Sequence, residues 1–289
     1  MAIVGVLVVI GGVIGGFLMA GGAIGVLIQP SEVVVIFGAT IGGLLISVPV
    51  ATLKALVTDM MGIMTGKSGP SKDTYIQTLL LLNELFQMAR KDGIIALESH
   101  VNDPHTSKVF EKYPQILHDH GALAYICDTI KLFLAGSVPP HEIEMLMDQE
   151  IDSHHEEAGI TAGVIAKIAD ALPGLGIVAA VLGIIITMGH IDGDPAVVGH
   201  HVAAALVGTF MGVLFAYGFF SPMAANLEAR NRNNARLLHV IKAGISAFAK
   251  GMAPSVSIEF ARRAIFHSDR PSFEETEKLL KEAKNKSHG

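Results

Sequence analysis

Two short segments in which histidine stands beside glutamate contain the residue types from which a metal or catalytic site could be built. His141-Glu142 resembles the start of a zinc-protease helix, but Met145 stands where the second histidine would be needed. The run 154–157, His-His-Glu-Glu, could bind a metal, although on an acidic helix it is more typical of a solvated face. The sequence also contains no phosphate-binding loop and no catalytic serine motif. We therefore expect no metal, no cofactor and no enzymatic activity.

The apolar segments lack the group that ion transport usually requires, which is an ionisable side chain at membrane depth. Asp170 precedes one segment, and His190, His200 and His201 lie at the ends of others. The polar side chains at depth are the hydroxyls of Thr40, Ser47, Thr187 and Thr209. Such hydroxyls more often bond their own backbone than an ion. Either this chain moves no ions, or a partner helix supplies the carboxylate.

The composition is typical of a membrane protein. Of the 289 residues, 51% are hydrophobic and 17% are charged, and the mean hydropathy is +0.50. Soluble domains carry nearer a quarter charged residues. The formal charge of -6 gives no sign of a basic surface, so we expect no nucleic acid partner. The single cysteine, Cys127, excludes an internal disulfide.

Four apolar segments are long enough to cross a membrane as helices, at 3–28, 33–57, 172–188 and 197–220. The first is too long, and wrongly flanked, for a cleaved signal peptide, so we interpret it as a retained span. Short loops, 29–32 and 189–196, join the members of each pair.

Glycines recur four residues apart in the first two spans, as in Gly11 with Gly15 and Gly38 with Gly42. Small residues at this spacing let helix backbones approach closely in lipid. The pattern predicts close packing of these spans against neighbouring helices or subunits.

The basic residues predict the orientation. All 21 Lys and Arg lie within 54–167 or 230–286, and neither short loop contains one. Basic residues near span ends stay on the cytoplasmic side of the bacterial inner membrane. We therefore expect both loops to be periplasmic and both termini to be cytoplasmic.

The segments outside the spans carry helical periodicity and no β pattern. Amphipathic helices are expected over 73–89 and 116–134, and Ser272 with Glu275 forms a capping box for a C-terminal helix. The third span extends back to Pro140, bent at Pro173, and the fourth continues past Pro222.

The predicted fold class is all-α, an integral membrane protein with four transmembrane helices, two of them extended into a helical cytoplasmic domain. The predicted domains are a transmembrane hairpin at 1–57, a cytoplasmic helical domain at 58–167, a second hairpin at 168–222 and a cytoplasmic tail at 223–289.

Four sequence blocks together resemble the MotA-type stator subunits of the bacterial flagellar motor, within the MotA/TolQ/ExbB proton-channel superfamily. They are MARKDGIIALE at 88–98, LPGLGIVAAV at 172–181, VGTFMG at 207–212 with AYGF and SP up to 222, and IEFARR at 258–263 with RPSF at 270–273. The blocks follow the family's order from end to end, and the span layout also fits.

The resemblance implies a ring of five A chains around two B chains. The MotB-type B subunit would supply the membrane aspartate that this chain lacks, and a domain that grips peptidoglycan. Ion flow would then drive torque on a FliG-type rotor protein of the switch complex.

Carried over by position, Arg90, Glu98 and Glu150 would face the rotor. Charge pairs across such an interface steer partners and set register. Pro173 and Pro222 correspond to family prolines that permit conformational coupling, because each removes a helix hydrogen bond.

Thr209 and Ala180 correspond to positions in the family's ion path. Sodium-driven relatives resemble this segment but carry threonine where Ala180 stands, and its oxygen could coordinate a desolvated cation. Alanine offers no ligand, so the resemblance favours H+ over Na+ as the transported ion.

Two other functions remain open from the sequence. One is an ExbB- or TolQ-like envelope energiser subunit, although those relatives have three spans and a periplasmic N-terminus. The other is a scaffold that assembles envelope proteins without conducting ions. A scaffold would tolerate Thr209→Ala or Pro173→Ala, whereas a motor subunit would lose torque.

Overall fold

The computed structural model describes residues 2–66, 69–136 and 138–286. Within these ranges the chain is helical and contains no β-strand, which confirms the all-α prediction. Thirteen α-helices follow one another in these ranges: α1 Ala2–Met19, α2 Ile24–Leu27, α3 Pro30–Ser47, α4 Val50–Met64, α5 Lys72–Asp92, α6 Glu98–Asn102, α7 Pro114–Leu117, α8 His120–Ala135, α9 Pro140–Met188, α10 Pro195–Phe215, α11 Ser221–Ala249, α12 Pro254–Ala264 and α13 Phe273–Lys286.

The chain divides into two compact units. The membrane unit is Met1–Lys67 with Glu157–Ala229, and the extramembrane unit is Ser68–Glu156 with Arg230–Gly289. The membrane unit extends beyond the predicted hairpins at 1–57 and 168–222, because its two segments run to Lys67 and from Glu157 to Ala229.

Four helical stretches among the described residues are long and apolar enough to cross a membrane, as predicted: Ala2–Met19, Ile24–Ser47, Pro140–Met188 and Pro195–Ala249. The predicted boundary between the first two was wrong. The first helix ends at Met19, and the chain turns at Gly21, whose φ of 84° suits glycine. The predicted loop 29–32 is instead the first turn of α3, because proline at Pro30 is well suited to a first helical position.

The second span also ends earlier than predicted, at Ser47 rather than 57. Pro49 disfavours helical conformation in the preceding residue, and Val48 is accordingly extended, with φ -128° and ψ 130°. A separate helix, α4, begins at Val50.

Close glycine packing occurs in the membrane unit, but between α9 and α10 rather than in the first two spans. A Cβ placed on Gly212 would lie 2.5 Å from the carbonyl oxygen of Leu172 and 2.8 Å from the Cα of Gly176. A Cβ on Gly183 would lie 2.8 Å from that of Ala205. By contrast, a Cβ on Gly11, Gly15, Gly38 or Gly42 would meet no atom within 4 Å, so the predicted packing of those glycines is not made within this chain.

The two prolines of the later spans lie inside continuous helical stretches. Helix α9 runs through Pro173, and the bend expected there stays a prediction. A π-helical turn, Ala216–Phe220, precedes Pro222, and in it Ser221 N–H donates to the Ala216 carbonyl five residues earlier. Proline cannot donate to the carbonyl four residues before it, so the wider turn accommodates Pro222 without an α-helical bond.

The extramembrane unit has its own apolar core. Helices α5 and α8 match the segments predicted at 73–89 and 116–134, with α8 beginning after Asp119, whose carboxylate caps it. The ring of Phe86 stacks on that of Phe248 with centroids 4.4 Å apart. The Tyr125 hydroxyl donates to the Met147 carbonyl at 3.1 Å, which satisfies its polar atom within the core.

A carboxylate clamp holds the chain that follows α12. Glu259 accepts hydrogen bonds from Arg262 at 2.7 and 2.8 Å and from Arg263 at 2.6 Å. Arg262 also donates to the Pro271 carbonyl at 2.9 Å, so it ties α12 to the start of α13. The predicted capping box is confirmed there, because Glu275 N–H donates to the Ser272 hydroxyl at 3.1 Å while Ser272 N–H donates to the Glu275 carboxylate at 3.3 Å.

The clamp predicts an acid-dependent loss of stability. Hydrogen bonds from Arg262 hold the pKa of Glu259 down at about 2, so its contribution is complete above the pKa of an unfolded glutamate and is lost as the pH falls towards 2. Glu259→Gln should lower the free energy of unfolding by about 1–2 kcal/mol at neutral pH. Thermal unfolding of both purified chains should show this difference shrinking between about pH 4 and pH 2. An equal difference across that range would contradict the clamp.

The α9–α10 contact predicts that one methyl group added at Gly212 will strongly lower the stability of the membrane unit. Gly212→Ala should destabilise the membrane unit by roughly 1–3 kcal/mol, because the added Cβ meets backbone atoms that cannot rotate away. Thermal unfolding in detergent would measure it. Gly163→Ala is the matched control, because Gly163 lies in α9 with no atom within 4 Å of its Cβ position. Equal effects of the two substitutions would show that the contact is not close.

Candidate functional site

Arg90 and Glu98 lie on one exposed corner of the extramembrane unit. Arg90 is in the last turn of α5 and Glu98 begins α6. Gly93 joins the two helices with a φ of 84°, and a short 3-10 turn, Ile94–Leu97, follows it. We call residues 90–98 the α5–α6 corner.

The corner combines a fixed base with an exposed surface. Leu97 is only 1% exposed and anchors the turn in the apolar core, whereas Ile95 is 74% exposed. Arg90 and Glu98 are both exposed, and within the described ranges neither forms an ion pair. Two unpaired charges of opposite sign beside an exposed apolar side chain provide the elements of a protein-binding surface.

Glu150 is exposed on α9, and no contact among the described residues links it to Arg90 or Glu98. Partial burial and the nearby Asp128 carboxylate raise its pKa, while His154 lowers it. Neighbouring acids on α9 are paired instead, as in the contact of Asp148 with Lys242 at 2.5 Å.

Ala180 and Thr209 come together where α9 and α10 are in backbone contact. A Cβ on Gly208, which precedes Thr209, would lie 3.2 Å from the backbone nitrogen of Ala180. A Cβ on Gly176 would lie 3.3 Å from the Cα of Thr209. Both candidate ion-path residues are half-buried at this contact.

The hydroxyls of the membrane unit divide into two kinds. Those of Thr40, Ser47 and Thr187 donate to the carbonyl four residues earlier, at 2.7, 2.8 and 2.8 Å, as the sequence favoured. Thr209 makes no such bond to any residue that the structure describes. Its hydroxyl is therefore the one in this set that is available to a partner or an ion.

The sequence reasoning missed Glu32. It is the only charged residue in 2–53, and the prediction placed it in a loop. The structure places it in the first turn of α3, within the span Ile24–Ser47 and 6% exposed. A Cβ on Gly208 would collide with its Oε2. Reading Pro30 as a first helical position, rather than as part of a turn, would have found it.

The remaining polar clusters have no comparable burial. His190 stacks on His201 with ring centroids 5.3 Å apart, and His200 meets His201 edge to face with centroids 6.2 Å apart, near the loop between α9 and α10. The described part of the chain brings no three His, Cys, Asp or Glu together as a metal site. Burial raises the pKa of the Cys127 thiol to about 11, which makes it a poor nucleophile.

Comparison with known families gives two matches that together span most of the chain. The motility protein A N-terminal model matches residues 3–93, and the MotA/TolQ/ExbB proton channel family model matches residues 121–239. Motility protein A of Escherichia coli (strain K12) is 38% identical, over 99% of this chain and 96% of that protein. Chemotaxis protein LafT of Vibrio parahaemolyticus is 36% identical, over 96% of this chain and 97% of that protein.

Solved structures share the fold. A chain of the C. jejuni MotAB structure aligns with a TM-score of 0.76 and 22% identity, covering 94% of this chain and 98% of that one. The flagellar MotAB stator complex from Bacillus subtilis gives a TM-score of 0.75 and 21% identity, with 93% and 97% covered.

The exposure of the α5–α6 corner predicts a labelling pattern. Arg90→Cys and Glu98→Cys should react with a maleimide in native membranes, whereas Cys127 should react at least about 100-fold more slowly until the chain is unfolded. Mass spectrometry of the labelled peptides measures both rates in one sample, and Cys127 serves as the internal buried control. Comparable rates at Cys127 and the two introduced cysteines would contradict the assigned exposure.

Proposed function

Since this chain belongs to the motility protein A family, we propose that it is the A subunit of a flagellar-motor stator, which converts ion flow through a complex with a B subunit into torque on the rotor. The observation that carries the proposal is the 38% identity to motility protein A along 99% of the chain. The match of residues 3–93 to the motility protein N-terminal model favours a motor subunit over an envelope energiser or a scaffold.

The proposed location is the bacterial inner membrane, with both termini in the cytoplasm. Four candidate spans give an even number of crossings, which puts the termini on one side. The confinement of Lys and Arg to 54–167 and 230–286 supports the cytoplasmic side for both.

The proposed partner in the membrane is a MotB-type B subunit that brings the ion-binding aspartate and a peptidoglycan anchor. The two similar solved structures are those of C. jejuni MotAB and of the flagellar MotAB stator complex from Bacillus subtilis. Helix α1 has no buried residue within this chain, and side chains such as Leu7 and Val8 are 64% and 67% exposed, which leaves surface for lipid and further subunits. The arrangement of five A chains around two B chains rests on the family resemblance.

The proposed transported ion, whose flow drives rotation, is the proton. The side chain of Ala180 provides no oxygen at the α9–α10 contact, where the hydroxyl of Thr209 and Oε2 of Glu32 are the two oxygens without a partner among the described residues. A desolvated sodium ion needs several oxygen ligands, whereas a proton needs one acceptor at a time. Pro173 and the π turn before Pro222 are the proposed hinge points that couple ion passage to movement, because both interrupt the α-helical bonding pattern.

We propose that torque reaches the rotor through contact of Arg90, Glu98 and Glu150 with a FliG-type rotor protein. The support for this assignment is the exposure of all three and the lack of ion pairs at Arg90 and Glu98. A charged partner surface could then pair with them without first breaking an internal contact.

We expect charge reversal at the corner to impair torque without preventing assembly. Arg90→Glu or Glu98→Lys, expressed with the B subunit in a flagellated strain that lacks stators, should reduce torque because the rotor charges become repulsive. Tethered-cell rotation measures torque, and membrane fractionation measures assembly. Lys278→Glu is the control, because Lys278 is an exposed charge on α13 far along the chain from the corner.

Two results would contradict the proposal at different levels. Normal torque after reversal of both Arg90 and Glu98 would remove these charges from the rotor interface. No rotation by the unmodified chain, in a stable membrane complex and with a compatible rotor, would favour the energiser or scaffold instead.

A further inference from the structure

Glu32 is a buried carboxyl group that the proposed mechanism does not yet use. Glu32 lies inside the span Ile24–Ser47 and is 6% exposed, and its Oε2 accepts no hydrogen bond from any residue that the structure describes. An ionised carboxylate in such a position is costly, and intramembrane acids usually face a functional path. We therefore expect the Glu32 carboxyl group to bind a proton, an ion or a polar partner.

The contacts of Glu32 place it beside the candidate ion path. Its Oε2 occupies the space that a side chain on Gly208 would fill, and the same space lies 3.1 Å from the Cβ of Ala179 and 3.2 Å from the nitrogen of Ala180. Glycine at 208 is what lets the carboxyl group enter between α9 and α10. Thr209, with its free hydroxyl, is the next residue of α10.

The Glu32 carboxyl group lies beside the middle of α10, far from the residue at which that helix begins. Gly208 is thirteen residues from Pro195, where α10 begins, which corresponds to about 20 Å of helix. A hydrocarbon core is about 30 Å thick, so the carboxyl group lies well below the end of α10 that carries the loop 189–194.

The surrounding elements offer few other titratable groups. Helices α1 and α2 carry none, and on α3 Glu32 is alone. The nearest along α10 is His201, seven residues or about 10 Å from Gly208. The nearest on α9 is Asp170, ten residues or about 15 Å from Ala180, and His190 lies just beyond the end of α9. The positive side chain on these helices is that of Lys167 of α9, thirteen residues or about 20 Å along the helix from Ala180, which is too far to hold Glu32 as a carboxylate.

We propose that Glu32 is a proton-carrying residue of the membrane path, in addition to the acid expected from the B subunit. In this step a hydronium ion on the side of the loop 189–194 gives a proton to Oε2 of the Glu32 carboxylate and is left as water. Glu32 then becomes a carboxylate again by giving that proton to the acceptor on the partner helix. The inference rests on the proposed stator function, and it adds a site in this chain at which the transported ion is bound.

The test compares Glu32→Gln with Glu32→Asp and Ser47→Ala in the complex of this chain with its B subunit. Glutamine keeps the size and removes the titrating proton, whereas aspartate keeps the acid. Ser47 is a control on the same helix, because its hydroxyl is already bonded to the Gly43 carbonyl. Rotation with Glu32→Gln should fall about tenfold or more, with partial activity for Glu32→Asp and full activity for Ser47→Ala, at equal amounts of membrane complex.

A second readout does not depend on rotation. Infrared difference spectra of the purified chain, recorded on a pH change in H2O and D2O, should contain a carboxylic acid band that disappears in Glu32→Gln. Gly208→Ala should shift the band, because the added methyl group displaces the carboxyl group.

Rotation and the infrared spectra together distinguish failure of the stator proposal from failure of the inference about Glu32. If the unmodified chain does not rotate the motor, the stator proposal fails, while the infrared band still reports whether Glu32 exchanges a proton. If the unmodified chain rotates and Glu32→Gln rotates equally well, Glu32 does not carry protons. Loss of both rotation and complex in Glu32→Gln, with an unchanged infrared band, would show a structural role and would also overturn the inference.

Discussion

Where α9 and α10 meet, backbone lies against backbone, and the rest of the membrane unit is arranged around that contact. Gly176, Gly208 and Gly212 leave no side chain between the two helices, and a single added methyl group would collide with main-chain atoms. In lipid, packing of this kind replaces the hydrophobic effect as the force that holds helices together. The same absence of side chains leaves the gap that Glu32 enters and brings Ala180 to the level of Thr209.

Both units contain polar groups without a partner among the described residues. In the membrane unit the hydroxyls of Thr40, Ser47 and Thr187 are bonded to their own helix. Glu32 and Thr209 each have an oxygen without a partner among the described residues. In the extramembrane unit, buried atoms of Arg230, Arg236 and Ser246 have no hydrogen-bond partner among the described residues. Arg90 and Glu98 project from a corner anchored by Leu97. Among these groups, Glu32 and Thr209 lie where the proposed function needs an ion, and Arg90 and Glu98 lie where it needs the rotor.

Much of the fold could be predicted from local sequence signals. The length of the apolar segments predicted the four spans, and helical periodicity predicted α5 and α8. The spacing of Ser272 and Glu275 predicted where the last helix begins. The first hairpin was misplaced because hydropathy continues unbroken through Gly21, where only the backbone conformation reverses the chain. Glu32 was missed for the same reason. The α9–α10 contact depends on residues about thirty positions apart, which no local pattern encodes. The positions of Arg90, Glu98 and Thr209 came from family resemblance, and their roles stay predictions.

The central claim is that this chain uses a proton gradient to drive a flagellar rotor, and the most direct measurement is of the fuel. Tethered cells that carry this chain and its B subunit as their only stator would be recorded with sodium, without sodium and after addition of a protonophore. The account predicts rotation that is indifferent to sodium and stops with the protonophore, because Ala180 offers no oxygen to a desolvated cation. Rotation that requires sodium and survives the protonophore would contradict it.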